Sequence, residues 1–277
     1  MRKAVLLILL AVSLGMSLVD EAAARGRRRR GCCVPCYCYP SYNWGCPSAT
    51  SARGPTQPPT AVLNVNGRTH QIFATGERDE TPDTPPPPTL LGKGDGETFA
   101  GTDRKAAKLS VGSGPTVTFS TVASLLDDLW PDAQMLDHDP PITKDPKSPR
   151  VAEEDRNVHV DAFLYAAKKE TDNDFHLIIG DDPDSGSGRF LNVEVSGLPT
   201  AGPFKTTLTA ARQQFRDLVQ GNLPDATGYH RYQPPIPITV TGSNFYDVDH
   251  LPGTVGPSFA KPTTAWEIHP VTSIAPR

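Results

Sequence analysis

The feature that most constrains this chain is a series of apolar-alternating blocks in roughly its last 120 residues, interrupted once by an amphipathic helix. Val158 to Tyr165 alternates apolar side chains with His159 and Asp161, and Lys168-Lys169-Glu170-Thr171-Asp172 then supplies a charged turn. Side chains alternate across a strand, so Phe175, Leu177 and Ile179 share one face while His176 and Ile178 take the other. After the Gly/Ser/Asp loop from Asp181 to Gly188, Leu191, Val193 and Val195 turn inward and Asn192 and Glu194 outward. From Thr207 to Val219 the spacing becomes helical, with Leu208, Ala211, Phe215, Leu218 and Val219 on one stripe and Thr207 or Thr209 as the cap. Ile236 to Phe245 and Thr264 to Ile274 complete five strands. This order predicts a mainly β chain whose residues 151–277 form a five-stranded OB-like barrel, with the helix between strands three and four. A small antiparallel sheet carrying one helix is the rival architecture.

Three tracts stand out in this region: Asp174-Phe175-His176-Leu177-Ile178-Ile179, Val240-Thr241-Gly242-x-x-Phe245-Tyr246-Asp247 and Trp266-Glu267-Ile268-His269-Pro270-Val271. Through them the chain resembles a family of exported bacterial proteins of unknown function, over roughly residues 150–275. The resemblance implies an OB-like fold and an exported setting, and carries no activity.

The N-terminal end points the same way. Arg2 and Lys3 precede an apolar run of 16 residues, Ala4 to Val19, and Ala22-Ala23-Ala24 suits signal-peptidase cleavage, so residues 1–24 read as a signal peptide. The run is shorter than the roughly 20 residues a spanning helix needs. The expectation is an exported chain, periplasmic, cell-envelope or secreted, with no membrane span after cleavage.

Residues 25–60 read as a disordered arm with six basic side chains and no acidic one. All five cysteines, Cys32, Cys33, Cys36, Cys38 and Cys46, lie there. An odd number in an exported chain implies local or intermolecular disulfides with one thiol left over. Cys33-x-x-Cys36 is half a zinc knuckle, but no second such pair follows.

Residues 61–108 are rich in Pro, Thr, Gly and Ser, including the run Pro85 to Pro88, and predict a semi-extended linker. Asn66-Gly67, between Val62-Leu63-Val65 and Ile72-Phe73, predicts a hairpin at 61–74 that must dock on something or fray. Residues 109–150 read as mixed, with a short helix capped by Ser120 that carries Val122, Leu125, Leu126 and Trp130, then a Pro-rich linker.

An OB-like barrel presents a ligand groove on its second and third strands, flanked by two loops. Here the groove candidates are His176, Asn192, Glu194, Arg189 and Lys168, with Asp247, Asp249 and His250 leaning in from the long loop 247–264. Charge disfavours nucleic acid for this domain, although the arginine arm could contribute separately: residues 151–277 hold ten Lys and Arg against sixteen Asp and Glu, a net charge of minus six that repels phosphate. Phe175, Phe190, Phe215 and Trp266 take inward parity and read as core.

No cofactor is expected. The alternative is zinc or manganese held by some of His176, Glu194, His250 and His269, although no H-E-x-x-H or H-x-H motif is present. The Asp181-Asp182-Pro183-Asp184 loop has Asn192 where a calcium loop needs glutamate. Pro270 is confined to an edge or a bulge, and His269 is expected to bond a loop carbonyl such as that of Asp247 or Asp249. The sequence thus favours a non-enzymatic binding module for a glycan or an envelope protein. The alternatives are a metal-dependent phosphodiester or ester hydrolase on the same face, and a disulfide-linked structural component of the envelope.

Overall fold

The computed structural model describes residues 57–80 and 96–277. The signal-like segment 1–24, the five cysteines and the run Pro85 to Pro88 lie outside the described residues. Among the described residues no helix is long and apolar enough to cross a membrane.

The described residues are mainly β. The expected five strands are present, in chain order, as β4 (Asn157–Lys169), β5 (Phe175–Gly180), β6 (Phe190–Val195), β7 (His230–Tyr246) and β8 (Trp266–Pro276). Three more precede them: β1 (Ala61–Val65), β2 (Arg68–Ala74) and β3 (Thr116–Phe119). All eight belong to one sheet, in the order β1-β2-β7-β8-β6-β5-β4-β3, and β7 also pairs with β4. The strands β4, β5, β6, β8 and β7 therefore pair in a ring. The ring is partial, because β6 meets β8 through two register pairs alone, Asn192 with Glu267 and Val193 with Ile268, in parallel.

The alternating pattern sets which face is filled. Val160, Leu177, Ile179, Leu191, Val193, Val240 and Ile268 all enter one buried apolar core. Helix α4 (Lys205–Leu218) closes that core with Ala211, Phe215 and Leu218. The Phe215 ring stands 5.3 Å from that of Phe175. The helix begins at Lys205, so Thr207 and Thr209 are inside its first turns and neither caps it. Thr209 Oγ1 instead donates back to the Lys205 carbonyl at 2.8 Å.

In β8, Pro270 sits where the β7–β8 register slips on either side of Gly242, which is the bulge a strand proline requires. Gly242 permits that contact: a Cβ there would meet Ile268 Cγ2 and the Pro270 carbonyl, each at 2.5 Å.

The described parts of the segments read as linkers, residues 61–80 and 96–150, are part of this body. Asn66 and Gly67 take positive φ values of 50° and 77°, so β1 and β2 form the expected hairpin, and β2 docks antiparallel on β7. Leu63 and Ile72 from the hairpin are fully buried in the main core. β3 pairs in parallel with β4, an association that its four residues do not signal by themselves. The short helix is α2 (Val122–Asp128), after α1 (Lys105–Lys108) and before α3 (Asp132–Leu136). Its cap is Thr121, whose hydroxyl accepts from the Ser124 amide at 3.0 Å, in place of Ser120. The Pro-rich segment 137–149 lies along α1, with the Pro146 carbonyl accepting from the Ala106 amide at 2.9 Å.

The compact body therefore begins well before residue 151. Leu63→Ala should lower the unfolding free energy by about 2–5 kcal/mol in urea denaturation, a cost that a residue in a free linker would not show.

Candidate functional site

Parity carries His176 on β5, Asn192 and Glu194 on β6, and Glu267 and His269 on β8 to the outer side of the ring. Cross-strand register brings them together, since His176 pairs with Glu194 and Asn192 with Glu267. Glu194 is the hub. His176 Nε2 lies 2.8 Å from Glu194 Oε1, and His269 Nδ1 lies 2.7 Å from Oε2. Asn192 Nδ2 donates to Glu194 Oε1 at 3.1 Å and to Glu267 Oε1 at 2.9 Å.

This face is covered, although the sequence reading left it open to a ligand. His176, Glu194, Glu267 and His269 are each no more than 2% exposed. The β7–β8 loop lies across part of it: His250 Nδ1 meets Glu267 Oε1 at 2.7 Å, and Val255 and Ala260 pack on Ile178. Residues 77–80 lie beside the loop. The Glu80 amide donates to the Thr254 carbonyl at 2.9 Å, and the Gly256 amide to Asp79 Oδ1 at 2.7 Å. Asp79 in turn forms an ion pair with Lys168. A third cover is residues 97–108, whose Lys108 Nζ reaches Asp247 Oδ2 at 3.0 Å. Its position is fixed by Arg104, which holds Glu154 through two bonds of 2.6 and 2.8 Å and donates to the Tyr246 carbonyl at 3.0 Å.

Burial of so many charges shifts their equilibria. Burial by itself raises Glu194, but the charges of His176, His269 and Lys108 outweigh it and hold this carboxyl well below the usual range. Burial disfavours a charged His176, yet Glu194 and Glu170 keep its pKa well above that of a free imidazole. His269 is raised in the same way by Glu194. Asp174 goes upward instead, driven first by burial and then by the like charge of Glu194. Asp247 is lowered against its burial by Lys108 and His250.

Of the residues predicted for the groove, His176, Asn192, Glu194, Lys168, Asp247 and His250 are all buried in this cluster or against it. Arg189 lies at the opposite end of β6, bonded to Asp127 and the Ala123 carbonyl of α2. Asp249 stands outside the cluster, in an ion pair with Lys144. His269 does not hold the loop. Its Nε2 lies 2.8 Å from Ser196 Oγ, and the loop tether is His250.

Sequence reasoning missed Asp79, Lys108, Glu170 and Asp174. Asp174 opens a tract quoted above, and Glu170 lies in the charged turn, so both carried a signal. Asp79 and Lys108 lie in Pro/Gly-rich surroundings with no periodicity to mark them.

A second feature lies elsewhere on the surface, between β3, α2, residues 152–156 and the start of β8. It is a cleft of about 340 Å³ lined by Val117, Leu129, Trp130 and Trp266 on its apolar side. Asp128, Glu153, Asp155, Arg156 and Asn244 supply polar groups. Trp130 is 51% exposed, and its carbonyl is pinned by the buried Trp266 Nε1 at 2.7 Å.

Comparison with protein-family models, curated proteins and solved structures finds no match for this chain. The geometry of the two sites therefore carries the functional argument. Glu194→Gln should cost about 3–5 kcal/mol in chemical unfolding, because it leaves two buried imidazoles without their common carboxylate.

Proposed function

We propose that the chain is an exported, non-enzymatic binding module on an OB-like five-stranded barrel, and that it takes a neutral glycan of the cell envelope at the Trp130 cleft. The signal-like residues 1–24 support export. The pairing ring, with its helix between the third and fourth ring strands and its one parallel contact, supports the OB-like reading.

The observation that carries the ligand class is the cleft itself, a half-exposed indole held beside a rim of hydrogen-bonding side chains. A pyranose ring has a face of C–H bonds that packs on an aromatic plate and an edge of hydroxyls that needs polar partners. The cleft provides both, at a volume within the range of roughly 300–1,000 Å³ usual for small-ligand sites. Its charge selects further. Arg156 is already paired with Asp128 and His138 with Glu153, so Asp155 leaves the wall acidic, which disfavours anionic sugars and phosphates.

The alternative of a metal-dependent hydrolase on the barrel face needs a coordination position open to water. The donors of the histidine–carboxylate cluster lie beneath the β7–β8 loop and residues 77–80, which is why the cleft is the better-supported ligand site. The disulfide-linked structural reading rests on cysteines outside the described residues.

Calorimetric titration with neutral and acidic envelope oligosaccharides tests the proposal. The full-length chain should bind a neutral oligosaccharide, and Trp130→Ala should weaken binding at least tenfold with an unchanged circular dichroism spectrum. Capture of an envelope protein with no oligosaccharide bound would defeat the glycan reading.

The cleft also carries a carboxyl tuned by its neighbours. Ser113 donates to Asp155 through its hydroxyl at 2.6 Å and its amide at 2.5 Å, and these bonds hold the Asp155 carboxyl below its ordinary value. A carboxyl depressed in the fold adds stability above its unfolded pKa and loses it as pH falls through the folded one. Ser113→Ala should therefore raise the Asp155 pKa toward the ordinary value of 3.8, readable by carboxyl-carbon NMR titration.

A further inference from the structure

We infer that Glu194, Asp247, His250 and Glu267 form a site for one divalent cation, Mn²⁺ or Zn²⁺, that fastens the β7–β8 loop to the sheet. Each of the four offers one donor atom, and these atoms lie within 4.8 Å of one another, all buried. Donors bound at about 2.0–2.2 Å stand roughly 3.3–3.6 Å apart around a tetrahedral ion and roughly 2.8–4.4 Å apart around an octahedral one, so the widest pairs close by a few tenths of an ångström while His250 Nδ1 and Glu267 Oε1, now 2.7 Å apart, open slightly. One imidazole nitrogen with three carboxylate oxygens is the donor chemistry of manganese or zinc, and no thiolate takes part.

One further observation points to a cation. Glu267 is 2% exposed, and its Oε1 receives both His250 Nδ1 and Asn192 Nδ2. Its second oxygen, Oε2, is buried without a hydrogen bond, the imidazole of His269 being 3.9 Å away. A buried carboxylate oxygen left in this state is costly in a protein interior.

The role that follows is structural. Asp247 and His250 belong to the loop and Glu194 and Glu267 to β6 and β8, so one ion joins the two. None of the four lines the Trp130 cleft.

The test uses the full-length chain under reducing conditions, with Mn²⁺ as the probe because thiolates of the cysteine-rich arm favour zinc over manganese. The expected result is one Mn²⁺ bound per chain by electron paramagnetic resonance, with a melting temperature that climbs as Mn²⁺ is added. Glu267→Gln and Asp247→Asn should each weaken Mn²⁺ binding at least tenfold, while Glu170→Gln, outside the four, should leave it within about twofold. The melting experiment on the unsubstituted chain reads the site even if a variant fails to fold. No Mn²⁺-dependent rise in melting temperature, unchanged affinity in both ligand variants, or an equal loss in Glu170→Gln would each overturn the assignment.

Discussion

The arrangement of this protein depends on one buried carboxylate. Glu194 lies on the outer face of a central strand with an imidazole on each oxygen, and it is fully removed from water. An ionised carboxylate in such a place is tolerable only when its neighbours supply charge and hydrogen bonds. Those neighbours come from three separate parts of the chain. His176 and His269 belong to adjoining strands, Lys108 comes from the segment before β3, and His250 reaches in from the β7–β8 loop through Glu267. The cover and the cluster therefore require each other: the segments exclude water, and the charges hold the segments.

That mutual dependence separates the two candidate sites by character. The cluster faces inward toward its own loop, and its chemistry suits internal fastening. The Trp130 cleft faces outward, with the Trp130 backbone carbonyl bonded to the buried Trp266, and its chemistry suits a passing ligand. The outer face of the partial ring is closed by the chain's own segments, and for that reason the ligand site we propose is the cleft beside β3.

Much of the fold was legible in the sequence. Period-two alternation located β4 through β8 and the inward residues Phe175, Leu177, Ile179, Leu191, Val193 and Val195 of β5 and β6, because a one-residue slip would expose the whole apolar set; Phe190, also read as inward, packs instead with Ile178 outside that core. Helical spacing located α4, and Asn66-Gly67 located the hairpin turn. What was not legible was how far the sheet extends: β3 alternates over only four residues, too few to set it apart, and the docking of β2 on β7 depends on an edge that exists only after the ring strands pair. The candidate residues were legible as polar positions of outward parity. Their burial was not, since outward parity normally means solvent.

By itself, then, the sequence determined the identity of the five ring strands, the helix among them, and the outward polar row of His176, Asn192, Glu194, Glu267 and His269. Those facts follow from local periodicity, which a chain carries within a few residues. Only the tertiary structure decided that this row is an interior, that His250 in place of His269 tethers the loop, and that Asp79 and Lys108 belong to the cluster. Each of those outcomes depends on contacts between residues far apart in sequence, where burial and charge, rather than local spacing, select the partner.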